Sequence, residues 1–222
     1  MRQFFITGTD TDVGKTVAST ALVNAFVGQG LRTVGHKPIS AGCEQTEHGL
    51  RNEDAQLLIA QSNVELPYDI INPFAFREPI APHITAQRTN QVITEQGLLD
   101  NYHELSALAV DVLISEGAGG WLLPINQDQV LPDIVQQLSM PIILVVGMRL
   151  GCLNHALLTQ QAIIASGCHI AGWIANAPEQ QPFFKENLTT LQARIKAPLL
   201  GVIPTVNNAS EAARYLNISL LD

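Results

Sequence analysis

Short apolar runs alternate along the chain with longer stretches in which apolar residues return every three or four positions. The runs at 4–6, 33–37, 112–116, 142–146, 170–175 and 199–203 are too short for helices and end at turn residues, so they predict strands. From Lys15 the positions Val17, Ala21, Leu22, Ala25 and Phe26 predict a helix stopped by Gly28 and Gly30. Helical patterns follow at 54–60, 98–110, 132–138, 153–166, 183–195 and 210–216, the last with Ser210 as its cap. Residues 40–52 read as a polar, glycine-containing loop. Residues 62–93 carry Pro67, Pro73, Pro79 and Pro82 with no clear period, and read as an irregular excursion that covers a site. Several strands are apolar on both faces. That predicts an α/β fold, doubly wound, with a mainly parallel sheet flanked by helices on both faces.

The loop after the first strand gives this frame a chemistry. Gly8-Thr9-Asp10-Thr11-Asp12-Val13-Gly14-Lys15-Thr16 joins a strand to a helix that opens on Lys15 and Thr16, the arrangement of a phosphate-binding loop. Backbone N–H groups at the helix start converge on one point and carry partial positive charge, which suits a phosphate oxyanion. Lys15 would reach the terminal phosphates, and the Thr16 hydroxyl would sit on Mg²⁺. The usual spacing wants glycine at position 9, where Thr9 stands, with Gly8 one residue early.

In a doubly wound sheet, ligands bind outside the carboxyl ends of the strands. The second strand ends at Lys37-Pro38, the acidic strand at Glu116 before Gly117-Ala118-Gly119-Gly120, and a late strand at Asn176. Glu116 suits an acid that holds or orients Mg²⁺, the alternative being a cap on the glycine turn. Lysine occurs only at 15, 37, 185 and 196, and the first two both fall at predicted strand ends. Desolvating an ammonium is costly unless an anion is present, so Lys37 reads as a second cation facing a transferring phosphoryl group or a carboxylated intermediate. Asp54 stands at a predicted helix start, where an acid is ordinarily a cap or dipole partner.

Composition narrows the class. At 222 residues and 46% hydrophobic content, with no linker-like stretch, the chain predicts a single domain over 1–222. A net charge of −8 argues against a general binder of nucleic acid or anionic membrane. Cys43, Cys152 and Cys168 form neither a CxxC nor a zinc pattern, and the N-terminus lacks the apolar core of a signal peptide. The expectation is a cytoplasmic protein. The histidines show no HxxxH or HxH spacing, and no serine lies in a Gly-x-Ser-x-Gly turn.

With these residues placed, the chain closely resembles the dethiobiotin synthetase family of phosphate-loop NTPases, nearly end to end. The resemblance is carried by Gly8-Thr9-Asp10-Thr11 with Val13-Gly14-Lys15-Thr16, by Lys37-Pro38, and by Gly49-Leu50-Arg51-Asn52 with Asp54. It continues through Glu116-Gly117-Ala118-Gly119-Gly120-Trp121, Gly151-Cys152, Asn154-His155-Ala156 and Ala175-Asn176. The resemblance implies an ATP-dependent ring-closing ligase of biotin biosynthesis acting on 7,8-diaminononanoate and CO₂. A carbamate forms, ATP phosphorylates it, and the second amine displaces phosphate, leaving dethiobiotin and ADP.

By the same resemblance, Lys15, Lys37 and Thr11 are catalytic or lie beside the substrate. Thr16, Asp54 and Glu116 hold Mg²⁺. Asp12, Val13, Gly14, Lys15, Thr16 and Val17, with Gly117, Ala118 and Gly119, flank the nucleotide. Asn176, Pro204, Thr205 and Val206 lie against adenine. The family forms homodimers, and the partner subunit would finish the substrate pocket with Leu150, Gly151, Cys152 and Asn154. Two positions depart from the pattern. Asp12 replaces the usual glutamate, and Ala41 replaces a substrate-facing serine, a role not transferred to Ser40 because it would point elsewhere. The competing reading is a partitioning-type ATPase switch working through protein partners. Such proteins carry an extra lysine early in the loop, and positions 9–13 hold none.

Overall fold

The computed structural model describes residues 1–179 and 181–221. Its first half runs β1 (Arg2–Gly8), α1 (Lys15–Gly28), β2 (Thr33–His36), β3 (Ile39–Ser40), β4 (Glu44–Thr46), β5 (Gly49–Arg51), α2 (Glu53–Gln61), α3 (Tyr68–Ile71), β6 (Phe74–Ala75) and α4 (Pro82–Arg88). The second half runs α5 (Glu95–Ala107), β7 (Val112–Gly120), α6 (Leu131–Gln137), β8 (Ile142–Gly147), α7 (Cys152–Ala165), β9 (Ile170–Ala177), α8 (Phe184–Arg194), β10 (Leu199–Pro204) and α9 (Ala209–Ala213). A 3₁₀ turn at Ile218–Leu221 follows. Among the described residues, six strands form one parallel sheet in the order β10-β9-β8-β1-β7-β2.

The continuous apolar runs are explained by burial on both faces. Phe4 and Ile6 of β1, Val112 and Ile114 of β7, and Ile143 and Val145 of β8 face one layer, where α1 packs Ala18, Leu22 and Phe26. Their neighbours Phe5, Leu113, Ile142, Leu144 and Val146 face the other, against Leu98 and Leu105 of α5, Ile134 of α6 and Ile163 of α7. A strand has period two, so an apolar residue at every position is what two covered faces require. The chain leaves β1 for β2 on one side and later crosses to β8 on the other. The carboxyl end of β1 is therefore the switch point at which such sheets bind ligands.

The structure differs from the pattern in several places. The polar stretch 40–52 contains the hairpin β4–β5, closed at Gly49 with φ +95° and by Thr46 Oγ1 donating to Gly49 O (2.8 Å). The excursion 62–93 contains α3, β6 and α4, because Pro67 and Pro82 start helices instead of breaking them. The glycine run after Glu116 stays within β7 instead of ending it, with a shift of register against β1 and Gly119 at φ +62°, and the strand reaches Gly120, which pairs with Gly8. The closing helix α9 is shorter than expected and is capped by Asn208, whose Oδ1 accepts from Glu211 N (2.9 Å), not by Ser210. Val17, expected on the buried stripe of α1, is exposed.

Both edges of the sheet are covered. On β2, Thr33 N donates to Asn63 Oδ1 (2.8 Å), Gly35 N to Ser62 Oγ (2.9 Å) and Lys37 N, just past the strand, to Ile71 O (2.9 Å). On β10, Gly201 forms an antiparallel bridge with Leu216, and Asn217 N donates to Leu200 O (2.8 Å). A β-carbon on Gly201 would lie 1.9 Å from Tyr215 O, so only glycine lets the C-terminal segment come this close. No helix among the described residues is long and apolar enough to cross a membrane.

Candidate active site

The loop between β1 and α1 wraps around Val13, which is buried and would collide with a β-carbon on either Gly8 or Gly147. Gly14 ends the loop at φ +90° as the N-cap of α1, a conformation that glycine adopts without strain. Asp12 also lies at positive φ, 55°. Aspartate visits this left-handed region more readily than longer or branched residues, which accounts for a short acid at this position. Asn176, at the end of β9, braces the loop from behind by donating from Nδ2 to Val13 O (3.0 Å).

A cleft of about 770 Å³ opens in front of this loop. Thr11, Asp12, Gly14, Lys15, Thr16 and Val17 line one wall, and Lys37, Asp54, Glu116, Ala118 and Gly119 line another. Lys15 Nζ rests on Asp10 O (2.9 Å). At the floor, Lys37 Nζ donates to Glu116 Oε1 (2.6 Å), Asp54 Oδ2 (2.7 Å) and Gly117 O (3.3 Å). Thr16 Oγ1 lies 2.8 Å from Asp54 Oδ1 and 3.0 Å from Glu116 Oε1. Glu116 is fully buried, and its Oε2 has no hydrogen-bond partner.

The electrostatics follow from that packing. Burial lowers the affinity of Lys37 for its proton, but the adjoining carboxylates of Glu116 and Asp54 outweigh it and hold its pKa above the usual lysine range. For Lys15, burial and then repulsion from Lys37 win, and its pKa is lowered. Burial also pushes Asp54 up, yet the Lys37 charge and the hydrogen bonds from Lys37 and Thr16 leave it below the ordinary carboxylate value. The floor holds two carboxylates against one ammonium, while Lys15 waits nearer the mouth. A hydroxyl and two carboxylates, one with an unused buried oxygen, make a hard-oxygen set that fits Mg²⁺.

Not every expected site residue lines the cleft. Val13 and Asn176 stand behind the loop, and Gly117 contributes its carbonyl. Pro204 pairs with Ala177 on the same strand-end rim, one step beyond Asn176, where Thr205 Oγ1 donates to Pro178 O. Leu150, Gly151, Cys152 and Asn154 open α7 away from the cleft, with Leu150 97% exposed and Cys152 buried. Ala41 and Ser40 both line the cleft, and the Ser40 hydroxyl is tied to Asn72 Oδ1 (2.8 Å) and Cys43 Sγ (3.2 Å). Residues that sequence reasoning left out also line the cleft. Asn52 and Leu123 do so, and Pro79 to Pro82 form an apolar lip whose one signal was the proline-rich excursion.

Comparison with known proteins decides the family. A family model described as an AAA domain matches residues 2–213. The ATP-dependent dethiobiotin synthetase BioD of Aeromonas hydrophila is 48% identical over 213 residues, 96% of this chain and 94% of that protein. The same enzyme from Marinobacter nauticus is 44% identical over 98% of this chain and 97% of its own. The chain belongs to the ATP-dependent dethiobiotin synthetase family. As a dethiobiotin synthetase it is an ATP-dependent ligase of biotin biosynthesis. Solved structures place this synthetase among phosphate-loop folds. The MinC:MinD cell division protein complex of Aquifex aeolicus matches with a TM-score of 0.62 at 15% identity, over 96% of this chain and 86% of that one. Cell division protein FtsY of Thermotoga maritima matches with a TM-score of 0.54 at 16% identity, over all of this chain and 68% of that one. At such identities the likeness concerns the fold alone, and the partitioning-type switch is not favoured.

Proposed function

We propose that residues 1–222 form a single ligase domain whose cleft closes a cyclic urea through a carbamate and its mixed anhydride with phosphate. One amine of 7,8-diaminononanoate adds to CO₂ and loses a proton. A carbamate oxygen then takes the γ-phosphoryl group of ATP, leaving ADP. The second amine attacks the carbamate carbon and expels phosphate, which closes the ring. The observation that carries this reading is the meeting of Lys37, Thr16, Asp54 and Glu116 on the floor of a cleft that Lys15 also lines, in a member of this family.

Two anions must be brought together, and the residues divide that work. Lys15, at the loop, is placed for the terminal phosphates of ATP. Lys37, held between Glu116 and Asp54, is placed for the carbamate and for charge that builds on the transferring group. Thr11 stands at the mouth beside the substrate. Thr16, Asp54 and Glu116 would hold Mg²⁺, which supplies neutralisation of the triphosphate oxygens when bound. The backbone from Asp12 to Val17, together with Gly117 to Gly119, cradles the nucleotide. Asn176, Pro204, Thr205 and Val206 form the rim assigned to adenine.

Leu150, Gly151, Cys152 and Asn154 lie outside the cleft of their own chain, which suits a homodimer in which they complete the partner's pocket. The setting that fits this chemistry is the cytoplasm. The deciding experiment supplies the diamine, ATP, Mg²⁺ and labelled bicarbonate to folded protein. Label is expected in an acid-stable cyclic urea. Label that stays acid-labile or in solution would sink the assignment.

A further inference from the structure

Behind the cleft floor lies a buried polar cluster that the chemistry above does not use. His36 and Ser115 are register partners on β2 and β7, and each is fully buried. His36 Nδ1 is 2.9 Å from Ser115 Oγ, and Nε2 is 2.9 Å from Asn101 Oδ1. The Tyr102 hydroxyl also meets Ser115 Oγ, and its ring meets His36 edge-on with centroids 4.9 Å apart. Asn101 Nδ2 donates to Ile70 O (2.9 Å).

The direction of every bond in this cluster can be derived. Ile70 O only accepts, so the Asn101 amide must turn its NH₂ there and its oxygen toward His36. That oxygen can only accept, so His36 carries its proton on Nε2 and leaves Nδ1 bare. Bare Nδ1 takes the Ser115 hydroxyl proton, and Ser115 Oγ is left to accept from Tyr102. The run is Tyr102 to Ser115 to His36 to Asn101 to Ile70 O, with one polarity. A second proton on His36 would strand a buried hydroxyl hydrogen, in line with burial pushing the imidazole down to about 3.

The cluster sits where it matters. The rung His36–Ser115 is the last pairing of β2 with β7, and the next residues along the chain are Lys37, just past β2, and Glu116 of β7. The Lys37 peptide is held by the same neighbourhood, its N–H on Ile71 O (2.9 Å) and its C=O accepting from Asn72 Nδ2 (2.6 Å). We propose that Tyr102, Ser115, His36 and Asn101 are positioning residues, a one-way hydrogen-bond chain that locks the last β2–β7 rung to α5 and so sets Lys37 against Glu116. A satisfied buried network fixes one arrangement where apolar side chains of the same volume would tolerate several. This inference rests on the roles proposed above for Lys37 and Glu116.

The test joins a spectrum to kinetics in the full chain. Histidine ¹⁵N resonances are recorded at pH 7, with His36 assigned by its loss in His36→Gln. A neutral ring with a protonated Nε2 and a bare, hydrogen-bonded Nδ1 is expected. The Nδ1–H tautomer or a cation would overturn the chain's direction. Ser115→Ala, which breaks both central bonds, is expected to lower kcat about tenfold with KM for ATP changed less than about twofold, since small misplacements of reacting groups act on turnover. Tyr102→Phe, which removes only the first donor and is the milder substitution for folding, should shift kcat in the same direction by about threefold. A merely structural role would lower the unfolding temperature of both variants and leave kcat of the folded enzyme unchanged, which overturns the proposal. An inactive wild-type protein would instead fault the reading of the cleft.

Discussion

His36 should make its own contribution, of definite size, to the destabilisation of this protein by acid. The ring is fully buried and neutral, with a pKa of about 3 against 6.5 for a free histidine. Between those values the unfolded chain binds a proton that the folded chain refuses. The contribution of His36 is therefore complete above pH 6.5 and is lost as the pH falls toward 3. Integrating the linkage from pH 7.5 to pH 5 gives a loss of about 2 kcal/mol from this residue alone. The figure scarcely depends on the folded value, so long as that value lies well below 5. Urea unfolding of wild type and His36→Gln at both pH values isolates it, because carboxylates such as Asp54 contribute alike to both proteins and cancel. His36→Gln should be less stable at pH 7.5 and should lose about 2 kcal/mol less than wild type on going to pH 5. Equal losses in the two proteins would show that His36 takes up its proton in the folded state, and the derived hydrogen-bond directions would fail with it.

Other substitutions probe other parts of the structure. Lys37→Gln keeps a hydrogen-bond donor toward Asp54 and Glu116 but removes the charge, so circular dichroism should report a folded protein whose turnover is about 10²–10³ lower; near-normal rates would show that Lys37 has a different role. Gly14→Ala forces a β-carbon to φ +90° and to within 2.0 Å of Asn176 Nδ2, and titration calorimetry should find ATP affinity at least about tenfold weaker. Gly201→Ala must push the Tyr215 carbonyl away from β10 and should cost about 1–3 kcal/mol in urea unfolding, an unchanged midpoint being the contrary result. Asn208→Ala removes the cap of α9 and should cost about 1 kcal/mol by the same measurement, whereas Ser210→Ala should be close to neutral.

The strands were legible because their signal is local. Phe4-Phe5-Ile6 and 142–146 are apolar at every position, and only a strand covered on both faces accounts for so short a run. Lys15, Thr16, Lys37 and Glu116 were legible for a related reason, since strand ends are where a doubly wound sheet gathers its ligand groups. Asp54 was not. An acid at a helix start usually serves the helix, but in the fold Asn52 already caps α2, leaving the Asp54 carboxylate to Lys37 and Thr16. His36 was opaque because its partners come from distant elements, and a solitary histidine in sequence gives no hint of Asn101, Tyr102 or Ser115. The glycines after Glu116 misled as turn residues, since nothing local says that Gly120 will lie against Gly8.

The covered edges of the sheet bear on how copies of this chain can meet. An open strand edge is a template on which another chain can add a strand, in ordered assembly or in aggregation. Here Ser62, Asn63 and Ile71 occupy the outward donors beside β2, and the Tyr215–Asn217 segment lies over β10. Extension of the six-stranded sheet is closed to a folded copy, so a dimer would form on other surfaces, such as the exposed start of α7. The two covers differ in kind. The first uses the Asn63 and Ser62 side chains to accept from the Thr33 and Gly35 backbone, whereas the second pairs backbone with backbone, Gly201 against Leu216 and Asn217 N on Leu200 O. Losing the second would uncover β10, the strand that ends at Pro204 beside the rim proposed for adenine. Opening of that edge would therefore be felt at the rim of the cleft as well as in the association of copies.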